Sequence, residues 1–128
     1  MLEIGSKNKL FNLAEAQELW PLVRKITEKH QQQLEPIQRR LNLMLANDPR
    51  RKVVEDEYSN VVAAWRTKLE QLGIDVAGLW SVGFNVGEGF LSWKYPELSL
   101  AFFISHDRPE ERLKLSDYID EYDPDWAC

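Results

Sequence analysis

A histidine and three acidic residues in the second half of the chain are the side chains best suited to chemistry. His106 is followed directly by Asp107, and Glu88 and Glu97 precede them. Imidazole and carboxylate groups carry out general acid and base catalysis and also bind metals and small ligands. Their spacing matches no diagnostic motif, and a histidine followed by Asp at a strand end is more often the start of a loop. We take these four residues, beside Trp93, as a candidate ligand site and assign no catalytic residue, metal ligand or cofactor.

Other residues that resemble reactive motifs have simpler interpretations. The glycine-rich run 83–89 lacks the following helix that would direct amide groups at a phosphate, so it predicts a hairpin turn. The serines of the predicted strands do not form a nucleophile elbow, and they predict no hydrolase. His30 lies on an apolar helical stripe, which indicates a buried histidine with a hydrogen-bond partner.

The acidic tail, residues 116–128, holds the whole surplus of negative charge. The chain has 16 basic and 21 acidic side chains, and five of the acids but none of the basic residues lie in this tail. Large apolar side chains stand between the acids, which a purely solubilising segment does not need. We therefore predict a docking segment with aromatic anchors and orienting charges: Tyr118, Tyr122, Trp126, Asp120 and Asp123.

Three consecutive cations, Arg50, Arg51 and Lys52, stand at the predicted start of a helix. Cations at this end oppose the helix dipole, so another interaction is expected to favour them. One interpretation is a solvated hairpin tip compensated by Glu55 and its acidic neighbours. The other is a grip for an acidic segment, from a protein partner or from the tail of a second copy of this chain.

Composition limits the class of protein. A chain of 128 residues with 44% hydrophobic content suits one domain, predicted at 1–115 and followed by the acidic tail. The net charge of −5 argues against nucleic acid or a membrane as the main partner. No apolar stretch has membrane-spanning length. The single cysteine, Cys128, fits a reducing compartment, so we expect a cytoplasmic protein.

Helical periodicity dominates the first half of the chain. Asn12 and Glu15 form a capping-box pattern that predicts a helix start at Leu13. We expect a short first helix to about Leu19, a kink or a restart with Pro21 in the new first turn, and then a long helix whose apolar stripe continues through Pro36. Asp48 and Pro49 predict the cap and first residue of another helix, which ends near Leu72 before Gly73. These segments form an antiparallel helical hairpin.

The period changes to two after Gly73. Residues 79–84, 89–95 and 98–104 predict three strands, and 106–115 a short helical turn. A three-stranded antiparallel β-meander must bury one face, and the helical hairpin offers the only large apolar surface. The predicted fold is therefore α+β, in two layers. Because strands alternate, some aromatic side chains face outward, and this exposed sheet face is a candidate binding surface.

The chain resembles a bacterial family, the domain of unknown function 2203, some of whose members are labelled division initiation proteins. The resemblance covers roughly residues 10–115 and excludes the tail. It rests on these residues: Phe11, Asn12, Glu15, Ala16, Leu19, Pro21, Leu72, Gly73, Ile74, Gly78, Leu79, Phe84, Trp93 and Glu97. It implies a helical hairpin with a small sheet and no settled activity.

The chain departs from the family pattern at three positions. Gly83 stands where members usually have Asp, Ser92 where they have Cys, and Ile104 where they have His after an aromatic residue. Trp93 and Glu97 match. Any polar site that the family builds from those side chains would have fewer polar groups in this chain.

Two functions follow as hypotheses. The leading one is a protein-protein interaction module that uses the acidic tail and the exposed sheet face. The alternative is a metal- or small-ligand-binding domain or enzyme with a site around Glu97, His106 and Asp107.

Overall fold

The computed structural model describes residues 9–117 and shows two long helices followed by a five-stranded antiparallel sheet. The predicted α+β class is confirmed. The elements in chain order are α1 (Leu13–Leu43), α2 (Arg51–Gln71), β1 (Asp75–Gly78), β2 (Ser81–Asn85), β3 (Gly89–Lys94), β4 (Phe102–Ser105) and β5 (Leu113–Lys114).

Helix α1 begins with the predicted capping box. The Glu15 amide donates to the Asn12 side chain at 2.7 Å, and the Asn12 amide donates to the Glu15 carboxylate at 3.1 Å. The predicted restart at Pro21 is wrong, because α1 continues through both Pro21 and Pro36. Each proline removes one backbone hydrogen bond. Both lie on the exposed side of the helix, where water can bind the freed carbonyls.

The two helices form the predicted antiparallel hairpin. The buried indole of Trp65 on α2 donates from Nε1 to the Thr27 hydroxyl of α1 at 2.9 Å. His30 is also buried and its Nδ1 lies 2.7 Å from the Ile26 carbonyl oxygen, as expected for a core histidine with a partner. The apolar faces of the helices therefore point toward each other and toward the sheet.

The sheet has the strand order β1-β2-β3-β4-β5, so every neighbour in the sheet is also a neighbour in sequence. The prediction of three strands is wrong because β1 and β5 extend the meander at its two edges. Turns and β5 replace the helical turn predicted for residues 106–115. The first predicted strand begins later, at Ser81, because Trp80 takes a left-handed conformation with φ of 60° in the β1–β2 turn. The third predicted strand is reduced to Phe102–Ser105.

One face of the sheet packs against the hairpin. The buried side chains of this face are Val82, Phe84, Leu91, Trp93 and Phe103. They share a single core with helix residues Ala16, Val23, Trp65 and Leu69. The pairing register places a different row on the other side, which we call the outer face. That row runs from β1 to β5 through Asp75, Gly83, Ser92, Phe102 and Lys114. The outer face therefore contains both polar and apolar side chains, and these lie outside the core.

Candidate functional site

Glu88 and His106 lie together at one end of the sheet. The His106 amide donates to the Glu88 carbonyl oxygen at 3.1 Å. The His106 ring meets the Phe90 ring edge to face, with centroids 5.3 Å apart. Asp107 is exposed and its amide donates to the Ser105 hydroxyl. These contacts order the β4 exit, and both His106 and Asp107 remain open to solvent.

Glu97 lies at the opposite end of the sheet from His106. Glu97 lies three residues after Lys94, the last residue of β3. His106 instead pairs with Glu88, which directly precedes Gly89, the first residue of β3. Strand β3 spans residues 89–94, and an extended strand of that length is about 17 Å long. The predicted carboxylate and imidazole residues therefore do not form one cluster. Within residues 9–117 no group of three or more His, Cys, Asp or Glu residues is arranged to hold a metal ion.

Trp93 is fully buried in the core, where its ring meets Trp20 and Tyr95 edge to face. Its Nε1 donates to the Glu97 carbonyl oxygen at 2.8 Å. Trp93 and Glu97 are thus joined by a hydrogen bond that fastens the β3–β4 connection. Trp93 acts here through the core and not as a wall of an open site.

Arg112 connects this turn to the outer face. Its two terminal amino groups donate to the Glu97 carboxylate oxygens, each at 2.6 Å. Its Nε donates to the Ser92 hydroxyl at 3.0 Å, and its guanidinium lies 4.0 Å from the centre of the Phe102 ring. We call this arrangement the Arg112 clamp. It holds the segment before β5 across β3 and β4, and no sequence motif indicates it because its members are far apart in the chain.

The clamp sets the charge state of Glu97. Partial burial acts to raise the pKa of Glu97, but the Arg112 hydrogen bonds and the Lys94 amide outweigh it and hold that pKa below its ordinary value. Glu97 is therefore an ionised partner of Arg112 at neutral pH. A carboxylate in this state is not prepared to act as a general acid.

Beside the clamp the outer face contains a cavity of about 300 Å³, which we call the outer-face cavity. It lies over β1, β2 and β3 and reaches β4. Apolar side chains form most of its wall, and one carboxylate and two hydroxyl side chains complete it. The lining residues are Asp75, Val76, Ala77, Ser81, Val82, Gly83, Phe90, Ser92 and Ile104.

The cavity exists because position 83 has no side chain. Gly83 lies between Asp75 on β1 and Ser92 on β3 in the outer row. The Phe90 ring leans over Gly83, so that an added Cβ would lie 3.1 Å from the Phe90 Cδ1. The aromatic ring thus covers the glycine and forms one side of the cavity. Asp75 and Ser92 stand on opposite sides of this floor.

The three positions at which the resemblance implies a different residue lie together at this place. Gly83, Ser92 and Ile104 come from three strands and all line the outer-face cavity. In the sequence these three residues stand apart, and no local signal places them together. Asp75 has no neighbouring motif and lies on β1, a strand that was not predicted, so nothing in the sequence indicated it.

The contacts of Arg51 offset part of the unfavourable interaction between the cations of the hairpin tip and the dipole of α2. Its guanidinium donates to the carbonyl oxygens of Leu41 and Met44 at 3.1 and 3.2 Å, at the C-terminal end of α1. It also pairs with Glu55. A cation at the start of α2 is favoured because it satisfies carbonyls that the end of α1 leaves open.

The other two tip cations also have internal partners. Arg50 binds the Asp48 carboxylate through its backbone and its guanidinium, and these bonds lower the pKa of Asp48 to about 2. Lys52 pairs with Asp56 at 2.6 Å. Helix α2 begins at Arg51, later than predicted, with no side-chain cap. Any acidic partner at this tip competes with these pairs.

The predicted anchors of the acidic tail, Tyr118, Tyr122, Trp126, Asp120 and Asp123, lie outside the described residues. Between residues 9 and 117, neither helix has the length and apolar character needed to cross a membrane.

Comparison with known proteins identifies a family. The model of a family described as "Uncharacterized conserved protein (DUF2203)" matches residues 9–111, which is most of the chain. The chain belongs to this family. The match begins just before α1 and ends just before Arg112, so it covers the helical hairpin and β1–β4. No curated protein and no solved structure matches the chain significantly.

Proposed function

We propose that this member of the DUF2203 family is a binding module that takes up a small organic molecule in the outer-face cavity. The observation that carries the proposal is the cavity of about 300 Å³ on the side of the sheet away from the helices. Ligand sites are typically concave, mainly apolar and about 300–1,000 Å³ in volume, with a few polar groups that orient the ligand. The walls formed by Phe90 and Ile104, with the side chains of Asp75 and Ser92, fit this description.

The spacing of the polar groups favours binding over nucleophilic catalysis. Asp75 and Ser92 are separated by one strand, and two strand spacings place their backbones about 9–10 Å apart. A general base must lie within about 3 Å of the proton that it removes. The Ser92 hydroxyl instead accepts a hydrogen bond from Arg112.

A fragment screen by ligand-observed NMR, with thermal shift as a second readout, tests the proposal. Two variants fill the cavity from opposite sides: Ala77→Trp and Ile104→Trp. Ala77 is exposed on the edge strand β1, so a larger side chain there costs little folding energy. Ala63→Trp is the matched control, because Ala63 is exposed on α2.

Fragments that bind the wild type and Ala63→Trp but not the two cavity variants support a ligand site. The proposal is rejected if no fragment binds, or if every binding fragment is retained by both Ala77→Trp and Ile104→Trp.

A second candidate function is the protein interaction through the acidic tail. Its support is the clustering of five acids among large apolar residues in the last thirteen positions. An affinity capture with the full chain and with residues 1–115 side by side tests it. A partner that requires the tail, and that is lost when Tyr118, Tyr122 and Trp126 are changed to Ala, supports the candidate. Equal captures by both chains count against it.

A further inference from the structure

We propose that the ligand of the outer-face cavity is an uncharged aromatic molecule, about the size of two fused rings, that packs beside Phe90. The inference rests on the proposed function and names the class of its ligand. Three features of the cavity carry it: its ionisable groups, its aromatic wall and its floor.

The ionisable group of the cavity is already committed within the protein. Asp75 is the one ionisable side chain among the described residues that line the cavity, and it has an interaction partner within the protein. Its Oδ2 is also shielded from solvent. A charged ligand group would therefore lose its hydration in a largely apolar cavity without gaining a new counter-charge, which is costly. A neutral ligand avoids this cost.

The cations of the outer face are not placed to receive an anion in the cavity. Arg112 donates with both terminal amino groups to Glu97 and with its Nε to Ser92. An anionic ligand would have to break these bonds to reach the guanidinium. Lys94 is exposed and does not line the cavity. The charges of this face therefore favour an uncharged ligand.

One side of the cavity is an apolar wall with an aromatic ring. Phe90 on β3 pairs with Ile104 on β4, and both line the cavity. The Phe90 ring has neighbours that fix its position: it covers Gly83, and the His106 ring meets it edge to face at 5.3 Å between centroids. Aromatic pairs are favoured beyond the area that they bury. Because this ring is held in place, a ligand ring beside it gains the contact at little cost in side-chain entropy.

The floor beside this wall has room for a flat molecule. Outward-facing side chains of one strand stand about 6–7 Å apart, and on β2 they belong to Ser81, Gly83 and Asn85. The glycine therefore leaves about 13 Å between the side chains on either side of it, and the Phe90 ring fills part of this gap. A protein cavity of about 150 Å³ holds benzene. The outer-face cavity of about 300 Å³ therefore suits two fused rings.

Four probes with one fused-ring skeleton test the inference. They are naphthalen-2-ylmethanol, its saturated analogue decahydronaphthalen-2-ylmethanol, the cation of naphthalen-2-ylmethylamine, and the naphthalene-2-carboxylate anion. Their dissociation constants are measured by NMR titration with the wild type at pH 7. We expect the aromatic alcohol to bind about fivefold more tightly than the saturated alcohol, as one aromatic contact gives. It should bind about tenfold more tightly than either ion.

Two variants assign the aromatic preference to Phe90. Phe90→Leu keeps an apolar wall and removes its ring. Phe102→Leu is the matched control, because Phe102 lies in the outer row but does not line the cavity. The preference for the aromatic over the saturated alcohol should disappear in Phe90→Leu and remain in Phe102→Leu.

The methyl resonances of the wild type provide a readout that needs no variant. A ligand ring beside Phe90 also lies near Ile104, so its ring current should shift the Ile104 methyl signal. The methyl signal of Ile37, which is on α1 and does not line the cavity, should stay in place. The saturated alcohol has no ring current and should shift the Ile104 signal less. This measurement decides the inference even if Phe90→Leu does not fold.

The outcomes separate the inference from the proposed function. If the two alcohols bind equally and Ala77→Trp abolishes both, the cavity binds ligands but the aromatic inference is overturned. Tighter binding of either ion than of the aromatic alcohol, or an unmoved Ile104 signal when that alcohol is bound, also overturns it. If no probe or fragment responds to filling the cavity, both proposals fail.

Discussion

Removal of the Arg112 clamp should destabilise the protein by about 2 kcal/mol. Loss of one partner from a fully buried ion pair costs about 3–5 kcal/mol, whereas an exposed pair contributes about 0–1 kcal/mol. The side chains of Arg112 and Glu97 are 26% and 28% exposed, between these limits. Arg112→Met keeps an apolar stem over Phe102 but leaves Glu97 and Ser92 without the guanidinium. The expected loss is smaller than that of a fully buried pair because solvent partly screens both side chains.

Urea unfolding at pH 7, followed by fluorescence, measures this change in the free energy of unfolding. In a thermal melt, a loss of about 2 kcal/mol in a chain of this size lowers Tm by about 6–10 °C. The control is Arg108→Met. Arg108 pairs with Glu111 at 3.8 Å, with side chains 59% and 45% exposed, so its loss should cost less than about 0.5 kcal/mol. Equal costs for Arg112→Met and Arg108→Met would refute the assignment of the clamp as a stabilising contact.

The same comparison has a defined pH dependence. The pKa of Glu97 in the folded protein lies below its ordinary value of 4.5. Its ion pair therefore stabilises the folded state fully above the ordinary value, and this stabilisation is lost as pH falls through the lowered pKa. The free-energy difference between wild type and Arg112→Met should be largest at neutral pH and decrease below about pH 4.5. A difference that grows on acidification would contradict the ionised state of Glu97.

Three further substitutions test the packing by the same urea assay. Gly89→Ala should destabilise by about 3 kcal/mol or more, because an added Cβ would clash with the Ile104 carbonyl oxygen; a wild-type midpoint would contradict the close approach of β3 and β4. Thr27→Val should cost about 1–3 kcal/mol because it leaves the buried Trp65 indole N–H without an acceptor. Thr27→Ser, which keeps the hydroxyl, should cost less than Thr27→Val, and the reverse order would exclude this role. Asn12→Ala should cost about 1 kcal/mol through loss of the capping box, and no change would show that the cap contributes nothing.

The helical hairpin is the part of the fold that the sequence predicts best. The Asn12 cap and the spacing of apolar residues such as Leu34 and Trp65 are local signals, and they are sufficient because helix hydrogen bonds join residues only four apart. The prediction failed at Pro21, where the rule against proline inside helices was overridden. An exposed proline costs a long helix one hydrogen bond, and packing against α2 and the sheet keeps the helix intact.

The sheet was predicted less completely because strand identity depends on partners. The central strands β2 and β3 contain enough alternation to be recognised. Strands β1 and β5 have four and two residues and are defined by pairing with β2 and β4. No period can be read from segments this short. The Pro109 signal for a helical turn was local and was overridden by the same pairing.

The candidate site shows the same division. The order of residues places a histidine and several carboxylates after the helices, and its alternation predicted an outward-facing side of the sheet. Strand pairing and packing separate Glu97 from His106, join Glu97 to Arg112, and place Asp75, Gly83 and Ser92 in one row. The physical reason is that helix periodicity and caps are local properties of the chain. A cavity on a sheet is made by the register of several strands, and that register is decided when the inner face packs against the hairpin.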